Sequence, residues 1–159
     1  MRSSSFNRLV VLAGVAVALT LPAPADASTG FTVDGLRVRP PIGAFGGIPV
    51  GSCDLVTYAG CKVKTVTVEN VGSDAILIGG FGVDGVEPQV FALVPGDPVS
   101  GCDFLPLVDG YWLLEPGASC TISVAFSPVE KGRVESELHI WYTDQFEPIA
   151  VIPLIGVGK

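Results

Sequence analysis

Apolar and polar residues alternate along several short segments of this chain, with the period of two that is typical of half-buried β-strands. In residues 121–126, Ile122, Val124 and Phe126 point to one face, and Thr, Ser and Ala occupy the positions between them. This alternation predicts a strand with one face toward a hydrophobic core.

Residues 135–142 alternate in the same way and predict a second strand of this kind. The predicted inward side chains are Leu138, Ile140 and Tyr142, and the predicted outward ones are Glu137, His139 and Trp141.

The other predicted strands are short, and no segment shows a sustained helical period. They cover residues 33–38, 64–68, 75–81, 89–94, 111–114 and 149–155. Residues 70–73 have turn chemistry, residues 40–51 are predicted to form a loop-like crossover, and Pro153 predicts that the last strand lies at a sheet edge. Seven or eight short strands with Gly and Pro turns predict an all-β antiparallel sandwich.

The first 27 residues have the pattern of a signal peptide rather than of the fold. Arg2 and Arg8 provide a positive start, residues 9–21 are apolar, and residues 25–27 offer small side chains for cleavage. The alternative is a membrane anchor, but the apolar run is well short of the roughly 20 residues that span a bilayer. We therefore expect cleavage after Ala27 and a single domain over residues 28–159.

The amino-acid composition disfavours several classes of function. The chain has 9 Lys plus Arg against 16 Asp plus Glu, a formal charge of −7, and a single His. This balance disfavours a nucleic-acid partner, which needs clustered basic residues, and one His disfavours His-based catalysis or a multi-His metal site. The prediction is a protein that is secreted or held at the cell envelope, with no stable membrane insertion, no metal and no cofactor.

Four cysteines, Cys53, Cys61, Cys102 and Cys120, lie in the predicted mature part. An even number in an exported chain favours two disulfides, for which three connectivities exist. Proximity in sequence suggests Cys53–Cys61 and Cys102–Cys120. Because the spacing contains no CxxC pair, structural disulfides are favoured over a metal site or a redox site.

Several motifs occur in an order that resembles the ASPM/SPD-2/Hydin-type immunoglobulin-like domains, including the bacterial choice-of-anchor D proteins. Residues 44–52 (AFGGIPVGS) resemble the opening of that family, and residues 65–72 (TVTVENVG) resemble its next strand and turn. Residues 114–128 (LEPGASCTISVAFSP) resemble its Pro-Gly turn and following strand. Lys131-Gly132, residues 138–140 and residues 151–158 complete the pattern.

This resemblance implies an immunoglobulin-like sandwich of seven strands and a Cys102–Cys120 disulfide. It supplies no catalytic residue, since the family consists of binding or scaffold modules, and it constrains fold better than function. The Cys53–Cys61 insert departs from the common pattern, and its loop is either decoration or a recognition element.

The candidate binding surface consists of aromatic residues and the lone histidine. Trp141 and His139 are predicted on the outer strand face, and Tyr111 and Trp112 precede the Pro-Gly turn, one of them in the core and the other near the Cys102–Cys120 loop. An outward Trp suggests an interface, but a covering segment or a buried second face explains it equally well. Asp97, Asp103 and Asp109 lack the alternate spacing of a calcium loop and are interpreted as solvated acids.

The sequence therefore predicts a noncatalytic module that binds protein at or outside the cell envelope. Recognition would use a strand edge, the Trp141 face or loop tips such as the one between Cys53 and Cys61. The alternatives are a structural subunit of an envelope or surface assembly, and a secreted enzyme inhibitor.

Overall fold

The computed structural model describes residues 30–40, 43–85, 90–96, 98–143 and 148–159, so the predicted signal peptide lies outside the described residues. In this part the chain forms two packed β-sheets and one short 3₁₀ helix, Cys102–Phe104. No helix within these ranges is long and apolar enough to span a membrane. The strands are β1 (Phe31–Val33), β2 (Leu36–Arg39), β3 (Gly43–Ile48), β4 (Lys62–Asn70), β5 (Ile76–Asp84), β6 (Phe91–Val94), β7 (Leu107–Val108), β8 (Tyr111–Leu114), β9 (Ser119–Phe126), β10 (Gly132–Tyr142) and β11 (Ala150–Gly158).

The first sheet has the order β1-β2-β4-β9-β6, and the second has the order β3-β11-β10-β5-β8-β7. All strand pairs are antiparallel except that of β3 with β11, which is parallel. The architecture is an immunoglobulin-like β-sandwich, which confirms the predicted fold class, although the described residues form eleven strands rather than the predicted seven or eight.

The core lies between the two sheets and is built from the inward positions of the alternating strands. Ile122, Val124 and Phe126 of β9 are buried, as are Leu138 and Ile140 of β10. Each such side chain contributes about 1.5–3 kcal/mol by leaving water. Phe45, Phe91 and Phe126 pack together in this core, with ring centroids 4.8–5.7 Å apart.

The predicted crossover loop over residues 40–51 is wrong, because it contains strand β3. Gly43, Phe45 and Ile48 of β3 are buried, and the strand pairs with β11 from Leu154 to Gly158. Three glycines among the six residues of β3 hide the alternation, since only Phe45 and Ile48 are large apolar side chains.

The predicted edge position of the last strand is also wrong, since β11 lies between β3 and β10. Pro153 is nevertheless compatible with this place. It pairs with Glu137 of β10, whereas the pairing of β3 with β11 starts only at Leu154. Among the described residues, none of β3 pairs with the proline, which suits a residue without an N–H group.

The predicted strand over residues 33–38 is divided into the hairpin β1–β2. Asp34 and Gly35 form its turn with φ angles of 45° and 80°. Left-handed conformations at both central residues are typical of two-residue hairpin turns, and Asp-Gly is a preferred pair for them.

Asn70 joins the two sheets at one end of the sandwich. Its buried side-chain amide donates to the carbonyl oxygens of Asp74 (2.8 Å) and Leu114 (2.9 Å), and its Oδ1 accepts from the amide of Gly72 (3.0 Å). Because both donor hydrogens are used, the side chain fixes the β4–β5 turn to the end of β8.

Both neighbouring cysteine pairs form disulfides, Cys53–Cys61 and Cys102–Cys120. The first closes a loop that lies across the end of the first sheet. Tyr58 in this loop donates its hydroxyl hydrogen to the carbonyl of Leu93 on β6 (3.3 Å), and the hydroxyl of Ser127 donates to the carbonyl of Cys53 (3.4 Å).

Ala125 lies on the outer face of β9, between the partner strands β4 and β6, and is nevertheless fully buried.

Candidate functional site

His139 and Trp141 lie together on the outer face of the second sheet. Their rings meet edge to face, with centroids 5.4 Å apart. Nε2 of His139 is 2.8 Å from Glu137, and Nδ1 is 4.0 Å from Asp84 on the adjacent strand. The imidazole is thus held between two carboxylates and an indole, and its side chain is mostly buried.

The indole ring of Trp141 lies over the backbone of two glycines on β5. It stands opposite Gly80, and its ring is so close to Gly80 and Gly82 that a Cβ atom on either would lie 3.3–3.9 Å from the indole. The indole covers two positions of this inner strand that have no side chain of their own. The outward position of Trp141 therefore has a structural explanation that needs no partner.

Tyr111 and Trp112 point to opposite faces of β8. Trp112 stacks on Phe81, with ring centroids 5.1 Å apart, and packs against the core. Tyr111 is half-buried and pairs with Val108 at the edge of the sheet. Since β5 separates β8 from β10, the four residues predicted as a binding surface divide into an outer His139–Trp141 pair, an edge tyrosine and a core tryptophan.

A group of exposed apolar side chains lies along the β7 edge of the second sheet, where Leu107 and Val108 pair with Trp112 and Tyr111 and so point to opposite faces. Its members are Phe104 (53% exposed), Leu107 (64%) and Val108 (40%), which we call the apolar edge. No prediction covered residues 104–108, where apolar residues follow one another without alternation. Their exposure follows from the length of β7, since a strand of two residues cannot bury all of its flanking apolar side chains.

Several covalent and hydrogen-bonded contacts hold the apolar edge in place. The Cys102–Cys120 disulfide fixes the start of the segment to β9. The carboxylate of Asp103 accepts from the amide of Gly96 (3.0 Å), and the amide of Leu113 donates to the carbonyl of Pro106 (2.8 Å). The apolar side chains are thus presented on an ordered support, with the acidic residues Asp103 and Asp109 beside them.

A cleft of about 650 Å³ opens at the end of the sandwich where Asn70 lies. Asp34, Asp74 and Tyr142 line it, and the hydroxyl of Tyr142 donates to the carbonyl of Asp34 (3.4 Å). Burial raises the pKa of Tyr142, and the charge of Asp34 adds to this effect. The side-chain amide of Asn70 is already hydrogen-bonded, so the polar groups that the cleft offers are carboxylates, hydroxyls and backbone.

The outer face of the first sheet carries an ionic cluster. Glu69 accepts from Arg37 (2.6 Å) and from Arg39 (2.9 Å). The hydrogen bond from Arg37, aided by the charges of both guanidinium groups, lowers the pKa of Glu69. Beside this cluster, Thr65 and Ser123 share a hydrogen bond of 2.9 Å between β4 and β9.

The acidic residues considered for calcium do not form a cluster in the described part of the chain. Asp97 lies outside the described residues, Asp103 is bound to the Gly96 amide, and Asp109 occupies the β7–β8 turn with φ 51°. The described ranges hold no group of three or more His, Cys, Asp or Glu side chains arranged for a metal ion.

No protein-family model matches the sequence, and no curated protein matches it. Similar solved structures include the ASH/PapD-like domain 7 of human CEP192, which is 14% identical over 92% of this chain and 96% of that domain, with a TM-score of 0.43.

The VesB protease of Vibrio cholerae is 18% identical over 78% of this chain, with a TM-score of 0.46, and the CupB2 chaperone of Pseudomonas aeruginosa is 13% identical over 76%, with a TM-score of 0.45. The chain spans 32% of the length of VesB and 54% of that of CupB2. The assignment of the fold rests on the sheet topology described above.

Proposed function

We propose that this chain is a noncatalytic, extracytoplasmic immunoglobulin-like module that binds a partner protein through the apolar edge. The observation that carries the proposal is the exposure of Phe104, Leu107 and Val108, three large apolar side chains within residues 104–108, on an ordered sheet edge. Contiguous exposed apolar side chains with a polar rim are typical of protein interaction sites.

The support beneath the apolar edge favours binding. A segment tied down by a disulfide and by hydrogen bonds loses little conformational freedom when a partner docks, so less of the interaction energy is spent on ordering. Asp103 and Asp109 give the rim a negative charge. The complementary partner would present apolar side chains flanked by Lys or Arg.

The compartment is supported by two independent features. Residues 1–27 have the pattern of a signal peptide, and both disulfides are of the kind that persists in oxidising compartments. In the alternative role, a structural subunit of an envelope assembly, the same edge would be occupied permanently and at fixed stoichiometry.

The test is a crosslinking pull-down with mature protein from the native envelope and culture fluid. Leu107→Asp places a charge at the centre of the apolar edge and should abolish capture of the dominant partner. Val56→Asp is the matched control, since Val56 is 87% exposed and lies on the Cys53–Cys61 loop.

The variants also separate the alternatives. A partner retained by Leu107→Asp and lost with Trp141→Ala would contradict the proposal and assign binding to the outer face of β10. A protease that is captured through Val56 instead would favour the inhibitor, because Val56 is the exposed apex of a disulfide-closed loop.

A further inference from the structure

Asp84 is the last residue of β5, and its pairing with Glu137 is the last pair that β5 makes with β10. The next residue, Gly85, has a φ angle of 113°, a conformation that glycine adopts without strain. Asp84 and Gly85 are both exposed to solvent. The peptide bond between them therefore lies at the limit of the paired strand, and its nitrogen belongs to a residue without a side chain.

The two oxygen atoms of the Asp84 carboxylate face different groups. Oδ1 accepts a hydrogen bond from the amide of Gly85 (2.7 Å), so this main-chain nitrogen lies close to the side-chain carboxyl group. Oδ2 is 4.0 Å from Nδ1 of His139. A main-chain nitrogen that can act as a nucleophile thus lies on one side of the carboxyl group, and an imidazole that can donate a proton lies on the other.

We propose that Asp84 is a site of spontaneous covalent modification, at which His139 promotes conversion of the Asp84–Gly85 linkage to isoaspartate. The nitrogen of Gly85 attacks Cγ of Asp84, the N–Cγ bond forms and a Cγ–O bond breaks. The oxygen leaves as water, with one proton from the Gly85 amide and one from the imidazolium of His139. Solvent water then opens the cyclic imide at either carbonyl. One direction restores aspartate, and the other leaves isoaspartate, in which the main chain continues through Cγ.

Glu137 supports this reaction in two ways. It lies 2.8 Å from Nε2 of His139, which orients the imidazole so that Nδ1 faces Asp84. It is also the strand partner of Asp84, and like charges directly opposite each other destabilise a strand pair. The neutral imide removes one of these two charges.

The modification changes the end of β5 and leaves the apolar edge untouched. Isoaspartate adds a methylene group to the main chain at residue 84, so the pair with Glu137 is displaced and the carboxylate moves relative to His139. Because β8 lies between β5 and β7, this site is separate from the apolar edge. The inference therefore goes beyond the proposed binding function, and neither depends on the other.

Two other Asp–Gly pairs in the chain provide internal references. Asp34–Gly35 and Asp109–Gly110 occupy tight turns, with φ angles of 45° and 80° in the first and 51° and 87° in the second. Both aspartates are exposed. The single imidazole of the chain is that of His139, which lies between Glu137 and Asp84. The references therefore report how fast an exposed Asp–Gly pair reacts without that proton donor.

The test is incubation of the folded protein in heavy-oxygen water, followed by digestion and mass spectrometry with fragmentation that assigns the label to individual aspartates. Each passage through the imide leaves one heavy oxygen in the residue, whichever carbonyl is hydrolysed. We expect incorporation at Asp84 to exceed that at Asp34 and Asp109 roughly tenfold, which is modest for a positioned proton donor. Asp84→Glu is the control for the label, since its longer side chain does not close this ring and should incorporate almost none.

His139→Gln separates proton donation from a merely structural role. Loss of the donor should slow incorporation at Asp84 to the rate of the references, whereas a loosened strand end would make it faster. In guanidinium with the disulfides reduced, all three sites of the wild-type chain should react at the same rate, because the neighbours of Asp84 are dispersed. Equal rates in the folded protein would overturn the proposal, and so would faster incorporation at Asp84 in His139→Gln. The comparison of the three wild-type sites holds even if that variant does not fold.

Discussion

The two disulfides join cysteines close in sequence, yet they lie in opposite surroundings. Cys102 and Cys120 are 0% and 2% exposed and belong to the core, whereas Cys53 and Cys61 are half-buried at the surface. Loop entropy alone separates the two disulfides little, since loops of 18 and 8 residues differ by about 0.7 kcal/mol in the chain-entropy model. Their burial, and the structure that each supports, make the difference.

The buried disulfide is part of the core of the sandwich. Cys120 pairs with Val68 in the centre of the first sheet, and Cys102 begins the segment that leads to the apolar edge. The surface disulfide closes a loop that has further supports. Asp54 accepts from the amide of Val56 (2.8 Å) and from the hydroxyl of Thr57 (2.9 Å), and Tyr58 reaches Leu93.

Removal of the buried disulfide should have the largest effect. In the double variant Cys102→Ala, Cys120→Ala, the free energy of unfolding should fall by about 4 kcal/mol, of which roughly 3 reflects loop entropy and the rest lost core packing. Guanidinium unfolding measures the change. The apolar edge should also lose its order, so this variant should capture the partner less well than wild type under conditions where both are folded.

Removal of the surface disulfide should lower the free energy of unfolding by a smaller amount. For Cys53→Ala with Cys61→Ala, we expect a loss of about 2.5 kcal/mol at most, because no core packing is involved. The same guanidinium experiment gives the value, and partner capture through the apolar edge should persist. A loss equal to or greater than that of the buried pair would show that burial is not what distinguishes the two disulfides.

The parts of the fold that the sequence predicted are those in which one face of a strand is buried. The alternation in β9 and β10 identified the inward residues Leu138 and Ile140 because a period of two is imposed directly by the pleat. Strand β3 was missed because glycines occupy half of its positions, and a glycine has no side chain to reveal which face is buried.

The division of residues 33–38 into β1 and β2 was available in principle. Asp34-Gly35 is a preferred pair for a two-residue hairpin turn, but the apolar residues on both sides suggested one continuous strand. The order of the strands in the sheets, and hence the internal place of Pro153, depends on long-range pairing with β3. No local pattern reports that pairing.

The candidate site was less predictable than the fold. The outward position of Trp141 followed from alternation, but its contacts with Gly80 and Gly82 depend on the register between β10 and β5. The apolar edge depends on how short β7 is. These features arise from strand boundaries and registers, which a single sequence specifies poorly.

The smallest effect concerns the charge that helps to hold the surface loop. The hydrogen bond from the Val56 amide, followed by that from Thr57, lowers the pKa of Asp54 below its ordinary value of 3.8. A lowered pKa in the folded state means that this carboxylate stabilises the loop fully above the ordinary value. The stabilisation is lost as the pH falls through the folded-state pKa.

An NMR titration of Asp54 should therefore give a midpoint below 3.8, with the Val56 amide shift following the same curve. The variant without the Cys53–Cys61 disulfide decides how independent the loop is of its crosslink. If the hydrogen bonds alone can hold the turn, the midpoint stays lowered. A return to the ordinary value would mean that the surface disulfide organises the loop. Each disulfide would then support the structure around it, and the two would differ only in where they lie.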